Sequence, residues 1–190
     1  GRPGAQERDD RGLDELRERV DIPVTGICEA SMQTAAQGGR SFGVATTTPL
    51  LADAIAVVDV DPNSKCYAQI IGTTAMPNTG DELHHFGWNA CSSCLCPNAP
   101  HPHVARRYLV VPGLRSSRIH IIDTKPDPRN PKIVKVLEPK EIAEKTGYTR
   151  PHTTHCGPGG IYVSALGNPD GKAPGGIFLM DHESLEPLGR

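Results

Sequence analysis

Histidines and cysteines, eight and six in number, are spread unevenly along the 190 residues. The densest patch is Asp81-Glu-Leu-His84-His85-Phe-Gly-Trp88-Asn-Ala-Cys91-Ser-Ser-Cys94-Leu-Cys96. It joins two adjacent imidazoles, the one Trp and half of the thiols. Neutral imidazole ligates copper, zinc, iron or nickel, and thiolate suits soft metals. Cys91 and Cys94 have the C-x-x-C spacing that lets two sulfurs reach one metal or each other. Adjacent side chains on an extended strand point to opposite faces, so His84 and His85 share an ion only where the backbone turns. Gly87 would permit such a turn. The second patch is Arg150-Pro-His152-Thr-Thr-His155-Cys156-Gly-Pro-Gly-Gly160. It reads as a Pro/Gly-bounded loop on which His152 and His155 converge on one ion. Taken jointly, the two patches predict a metal site. His101-Pro-His103 lies in a Pro-rich loop and, with Cys91 and Cys94, imitates a small zinc knuckle with a short Cys-to-His spacing.

The remaining polar residues read more plainly. His101, His103, His120 and His182 are expected as surface or hydrogen-bonding residues, Cys28 and Cys66 as core or incidental thiols, and Trp88 as a packing residue. Asp59, Asp123 and Asp181 read as turn formers. Phosphate-loop, dinucleotide, nucleophile-elbow and H-E-x-x-H patterns do not occur. Gly157-Pro-Gly-Gly160 is a poor phosphate cradle because Pro158 removes a donor. Lys plus Arg number 20 against 22 Asp plus Glu, a net charge of −2, which argues against an electrostatic grip on nucleic acid or an acidic membrane face. No apolar run approaches the ~18–20 residues of a membrane span. Gly1 to Gly12 has no apolar stretch of the signal-peptide kind, so a cytoplasmic location is expected, or a periplasmic one had a leader been lost. Size and the lack of such a signal favour reduced thiols over a three-disulfide framework.

These groups must be positioned by strands. The 20 Gly and 18 Pro act as punctuation throughout and exclude a helical bundle. Strands are expected at Ala54–Val60, Cys66–Ile71, Arg107–Val111, Arg118–Ile122, Lys132–Leu137, Ile161–Leu166 and Gly176–Met180. One short helix is predicted at Pro139–Lys145, with Pro at its start and Gly147 just past its end. Residues 1–50 read as a divergent, loosely ordered segment with a possible helix around Leu13, Leu16 and Val20. Residues 51–190 read as the all-β part. Val57-Val-Asp59, Ile121-Ile-Asp123 and Leu179-Met-Asp181 form a weak repeat of apolar strand, Asp and polar turn about sixty residues apart.

Several longer strings carry a resemblance. Val57-Val-Asp-Val-Asp-Pro62, Met76-Pro-Asn78, Asp81-Glu-Leu-His-His85, Gly87-Trp-Asn89, Cys91-Ser-Ser-Cys94, Ser116-Ser-Arg-Ile119, Glu138-Pro-Lys140 and His152-Thr-Thr-His-Cys156 resemble the selenium-binding protein family, which includes methanethiol oxidases. The resemblance runs from about Ala52 to Arg190. It implies a partial β-propeller, the first two to three blades of a seven-bladed ring, with the other blades missing from this chain. It implies copper-dependent oxidation of methanethiol, a small thiol, by oxygen and water to formaldehyde, hydrogen sulfide and hydrogen peroxide. His84, His85, His152 and His155 match the family's His motifs and are the implied copper environment. Cys91 and Cys94 match its paired cysteines and are implied as thiol ligands or a redox pair. Three departures stand beside this: family members run more than twice this length, the segment before about Leu51 does not follow their pattern, and Ala68 stands where the selenium-associated cysteine is expected, with Cys66 two residues earlier. Two other readings are open: a non-catalytic selenium- or metal-binding protein, and a small zinc-stabilised β domain using Cys91, Cys94, Cys96 and His101 or His103.

Overall fold

The computed structural model describes residues 42–46, 53–90 and 101–190. The possible helix near Leu13, and Cys28, Cys91, Cys94 and Cys96, lie outside the described residues. The chain divides into two compact units. The described part of the smaller one is mainly the Asp59–Gln69 loop. Its carboxylates hold their own backbone: Asp59 Oδ1 accepts the Asp61 N–H at 3.0 Å and Asp61 Oδ1 that of Asn63 at 2.9 Å. Ser64 Oγ donates to Asp59 Oδ2 at 2.7 Å and accepts the Cys66 N–H at 3.1 Å. Local bonding of this kind competes with a sheet ladder. The strand expected from Cys66 therefore starts only at Ile70.

The larger unit carries three open sheets. β1 (Phe42–Thr46), β2 (Ala54–Val58) and β3 (Ile70–Ala75) lie in that order. β4 (Gly87–Trp88), β5 (Tyr108–Pro112), β6 (Ile119–Asp123) and β7 (Lys132–Leu137) form an antiparallel meander. α1 (Pro139–Thr146) leads into a second one: β8 (Thr149–Gly157), β9 (Gly160–Gly167), β10 (Gly176–Met180) and β11 (Pro187–Gly189). The described residues are thus mainly β-sheet with their connections, and α1 is the one helix among them.

The middle sheet is covered on both faces, which its sequence permits. β5 and β6 are apolar almost throughout, and every residue of β6 is buried. Alternation divides them between two cores. Val110 and Ile121 pack with Val163, Phe178 and Met180 of the following sheet. Leu109, Val111 and Ile122 pack with Ile55 of the preceding one. Each such side chain contributes roughly 1.5–3 kcal/mol by leaving water. α1 closes the end of the first core with Ile142, which is fully buried. It starts at a proline and stops at Gly147, whose φ of 71° is left-handed and whose N–H bonds the Ala143 carbonyl at 2.8 Å. Asp123 and Asp181 repeat the Asp59 turn, each accepting an N–H two residues on at 3.0 Å.

Candidate metal centre

The loop before β4 is zipped to the loop after β5. Arg115 N–H donates to the Asp81 carbonyl at 3.1 Å, Leu114 N–H to Glu82 at 2.9 Å, and His84 N–H to the Pro112 carbonyl at 2.9 Å. Leu83 forms a bridge with Gly113 between them and is buried. Glu82, at φ 55°, turns the chain two residues before His84, and His84 and His85 themselves lie outside any strand. Gly87 does something else. A Cβ there would stand 2.4 Å from the Thr154 carbonyl oxygen, so glycine is what lets β4 lie against β8. The Thr154 N–H completes the junction by donating to the His85 carbonyl at 2.9 Å.

At this junction three imidazoles meet. Ring centroids are 5.4 Å apart for His84 and His85, 4.5 Å for His84 and His152, and 4.9 Å for His85 and His152. One nitrogen from each lies within 4.8 Å of the others. A tetrahedral ion with nitrogens at about 2.0–2.1 Å needs them about 3.3 Å apart, so binding would draw the rings in by at most about 1.5 Å. His84 and His152 are half-buried and His85 is exposed, which leaves the centre open on one side. His152 is the extra residue of a bulge, since Pro151 pairs with Ala165 and Thr153 with Ser164. Its Nδ1 lies 2.8 Å from Thr153 Oγ1, which leaves Nε2 uncommitted. Burial, and then the charges of His84 and His85, push its pKa down, so this ring is neutral at pH 7 and offers a lone pair.

His155 is not brought to this group. The second patch is a continuous strand rather than a loop, and His155 is not among the residues whose ring nitrogens converge. Thr154 is buried, whereas His155 is exposed, pairs with Tyr162 and sets its Nδ1 2.6 Å from the Cys156 carbonyl oxygen. Cys156 is disulfide-bonded, against the expectation of reduced thiols throughout. Cys66 is an exposed free thiol, which excludes the core reading and leaves the incidental one. Trp88 packs against the second core and carries Arg106 over its ring at 4.8 Å. His101 keeps its hydrogen-bonding role, with Nε2 2.7 Å from the Pro158 carbonyl and its ring 4.1 Å from that of His182. His120 departs from a surface role: it is fully buried on β6, with Nε2 3.2 Å from Asp81 Oδ2. Asp81 sits in the first patch, where its residue type alone gives no sign of an interior role. Ile122, two residues on and on the same face of β6, is the available sign that His120 is interior.

The arrangement has relatives. The profile of the 56 kDa selenium-binding protein family matches residues 42–190. The chain belongs to that family. A second profile, Asp/Glu/hydantoin racemase, matches residues 8–58. Selenium-binding protein 2 of Arabidopsis thaliana is 54% identical over 129 residues, which are 67% of this chain and 26% of that protein. A methanethiol oxidase of Xenopus laevis is 48% identical over 138 residues, or 72% of this chain and 28% of its own length. The chain thus spans little more than a quarter of these relatives. A crystal structure of a hypothetical selenium-binding protein from Sulfolobus tokodaii superimposes with a TM-score of 0.68 at 62% identity, covering 73% of this chain and 30% of that one.

Proposed function

We propose that this chain supplies the histidine part of a copper centre in a methanethiol oxidase. The reading takes one methanethiol, one dioxygen and one water to one formaldehyde, one hydrogen sulfide and one hydrogen peroxide, which balances in atoms and electrons. What supports it most is the meeting of His84, His85 and His152 from two separate elements. The names of several relatives at 44–48% identity point the same way. Imidazole nitrogens suit copper, zinc, iron and nickel alike, and the redox reaction selects copper or iron among them. When bound, copper supplies one-electron chemistry between sulfur and oxygen. The protein holds the ion by three ring nitrogens, keeps water from one side with the half-buried His84 and His152, and leaves the side of His85 open to a small thiol. Glu82 Oε1, 3.7 Å from His84 Nε2, adds negative charge beside the cation. Cys91 and Cys94 complete the proposal as thiol ligands or a redox pair. His155 falls outside the ligand set because its ring is not among the three that converge. The two meandering four-stranded sheets are read as successive blades of a propeller whose remaining blades lie in the longer protein.

Metal analysis and oxygen uptake test this. One copper per chain is expected, lost in His84→Ala and His152→Ala and retained in His155→Ala. Oxygen uptake with methanethiol is expected from the longer protein carrying this chain. A copper-loaded protein that consumes no oxygen sinks the oxidase and leaves a binding protein.

A further inference from the structure

We propose that Asp81 and His120 form a buried clamp that fixes the spacing of the His84–His85–His152 centre; this rests on the metal-binding reading of that centre. Both residues have no exposure to solvent. Three hydrogen bonds hold Asp81, and His120 faces it. Its N–H donates to Asp53 Oδ2 at 2.5 Å and its carbonyl accepts from Arg115 at 3.1 Å. Arg118 Nη1 donates to its Oδ1 at 3.2 Å; His120 Nε2 stands 3.2 Å from its Oδ2 but outside hydrogen-bond geometry, which leaves both of these buried atoms without a hydrogen bond. A carboxylate away from water persists only with such compensation. The side chain of Asp81 therefore reports on β6, while its backbone is tied to the loop after β5. Between this anchor and the next, the bond from His84 to Pro112, lies Glu82 in the left-handed region. A non-glycine residue there costs about 1–3 kcal/mol and persists only where its surroundings over-determine it. The clamp and the Leu83–Gly113 bridge supply that constraint. Without the clamp Glu82 relaxes out of the left-handed region, and the segment carrying His84 and His85 shifts as a whole relative to His152 on β8.

Asp81 and His120 are positioning residues, since neither belongs to the imidazole group. Removing a direct hydrogen-bond partner of a metal ligand weakens binding about 10–100-fold, and residues that act through the loop, as these do, are expected near the lower end of that range. The test titrates copper(II) into the full chain by calorimetry and records its electron paramagnetic resonance spectrum. The proteins are wild type, Asp81→Asn, His120→Gln and a surface control, Lys140→Ala. Asp81→Asn is expected to raise Kd at least tenfold and change the copper hyperfine splitting, with His120→Gln in the same direction and Lys140→Ala unchanged. A folded Asp81→Asn with wild-type Kd and spectrum overturns the proposal. If Asp81→Asn does not fold, His120→Gln, which removes no obligatory charge, decides on the same criteria. If wild type binds no copper, the metal reading fails separately. The clamp is then read from the metal-free chain, by nuclear Overhauser contacts between the His84 and His152 rings. Loss of those contacts in either variant supports it, and their persistence in both overturns it.

Discussion

Burial without a full set of partners gives His120 a cost that depends on pH. Burial pushes its pKa down, and the nearby Asp81 carboxylate only partly opposes this. Arg118 faces the same space and lowers it further, while Asp53 acts with Asp81. The folded state thus holds His120 neutral, and the unfolded chain binds the extra proton below about pH 6.5. Stability should therefore be fully present above that value and decline as pH falls through it. His120→Phe should flatten this decline in urea melts run between pH 7 and 5; an unchanged slope would show that another group carries it. Gly87 concerns space instead. Gly87→Ala places a methyl group 2.4 Å from the Thr154 carbonyl, and overpacking of this kind costs about 1–3 kcal/mol. The thermal midpoint should drop, and the three imidazoles should separate because β4 and β8 move apart.

Elements are joined to one another by a small charge network as well as by apolar packing. Glu186, in the turn before β11, accepts from Lys135 on β7 and from Lys145 near the end of α1, the latter at 2.8 Å. These two ammonium groups hold its carboxyl at about 2, below its usual 4.5. A depressed carboxylate adds stability above the unfolded value, and that stability is lost as pH falls from about 4.5 toward 2. Glu186 is 40% exposed, so solvent limits the gain to the order of 1 kcal/mol or less. Glu186→Gln should match wild type near pH 2 and fall slightly below it at pH 6, in denaturant titrations at both values. The elements themselves were legible where their pattern was local. β7 and β10 lie at their expected bounds, and α1 extends one residue past Lys145, because apolar period and Pro/Gly punctuation are local signals. β8 was not legible as a strand, because its Pro and His residues resemble a loop until pairing with β9 satisfies the backbone. The same pairing settles the histidines. His152 was legible as a ligand candidate from its type, but its separation from His155 depends on a strand and its bulge, neither visible in the spacing alone. Asp81 and His120 are thirty-nine positions apart in the chain and meet only through the β5–β6 register.

The larger unit is a stack in which order of burial should become order of opening. β6 is buried along its whole length and contributes Ile121 to one core and Ile122 to the other. β3 and β11 are edge strands, and β3 has Ile70 65% exposed. Sub-global openings release segments with few buried contacts first, and each 1.4 kcal/mol separates exchange rates by a factor of ten. The amides of Ile121 and Ile122 are therefore expected to exchange at the rate of global unfolding, and the paired amides of β3 and β11 at least about tenfold faster. Ile121→Ala should then lower the stability of the entire unit by about 2–5 kcal/mol, because its cavity opens beneath both meanders at once. The outer face of the last sheet behaves differently. Ile177 and Leu188 are each 60% exposed there, so Ile177→Lys should leave the unfolding free energy within about 0.5 kcal/mol of wild type. Exchange measured by mass spectrometry on wild type and both variants separates the two faces. If β11 protects as strongly as β6, the middle sheet is not the stabilising layer, and the histidine centre does not owe its placement to it.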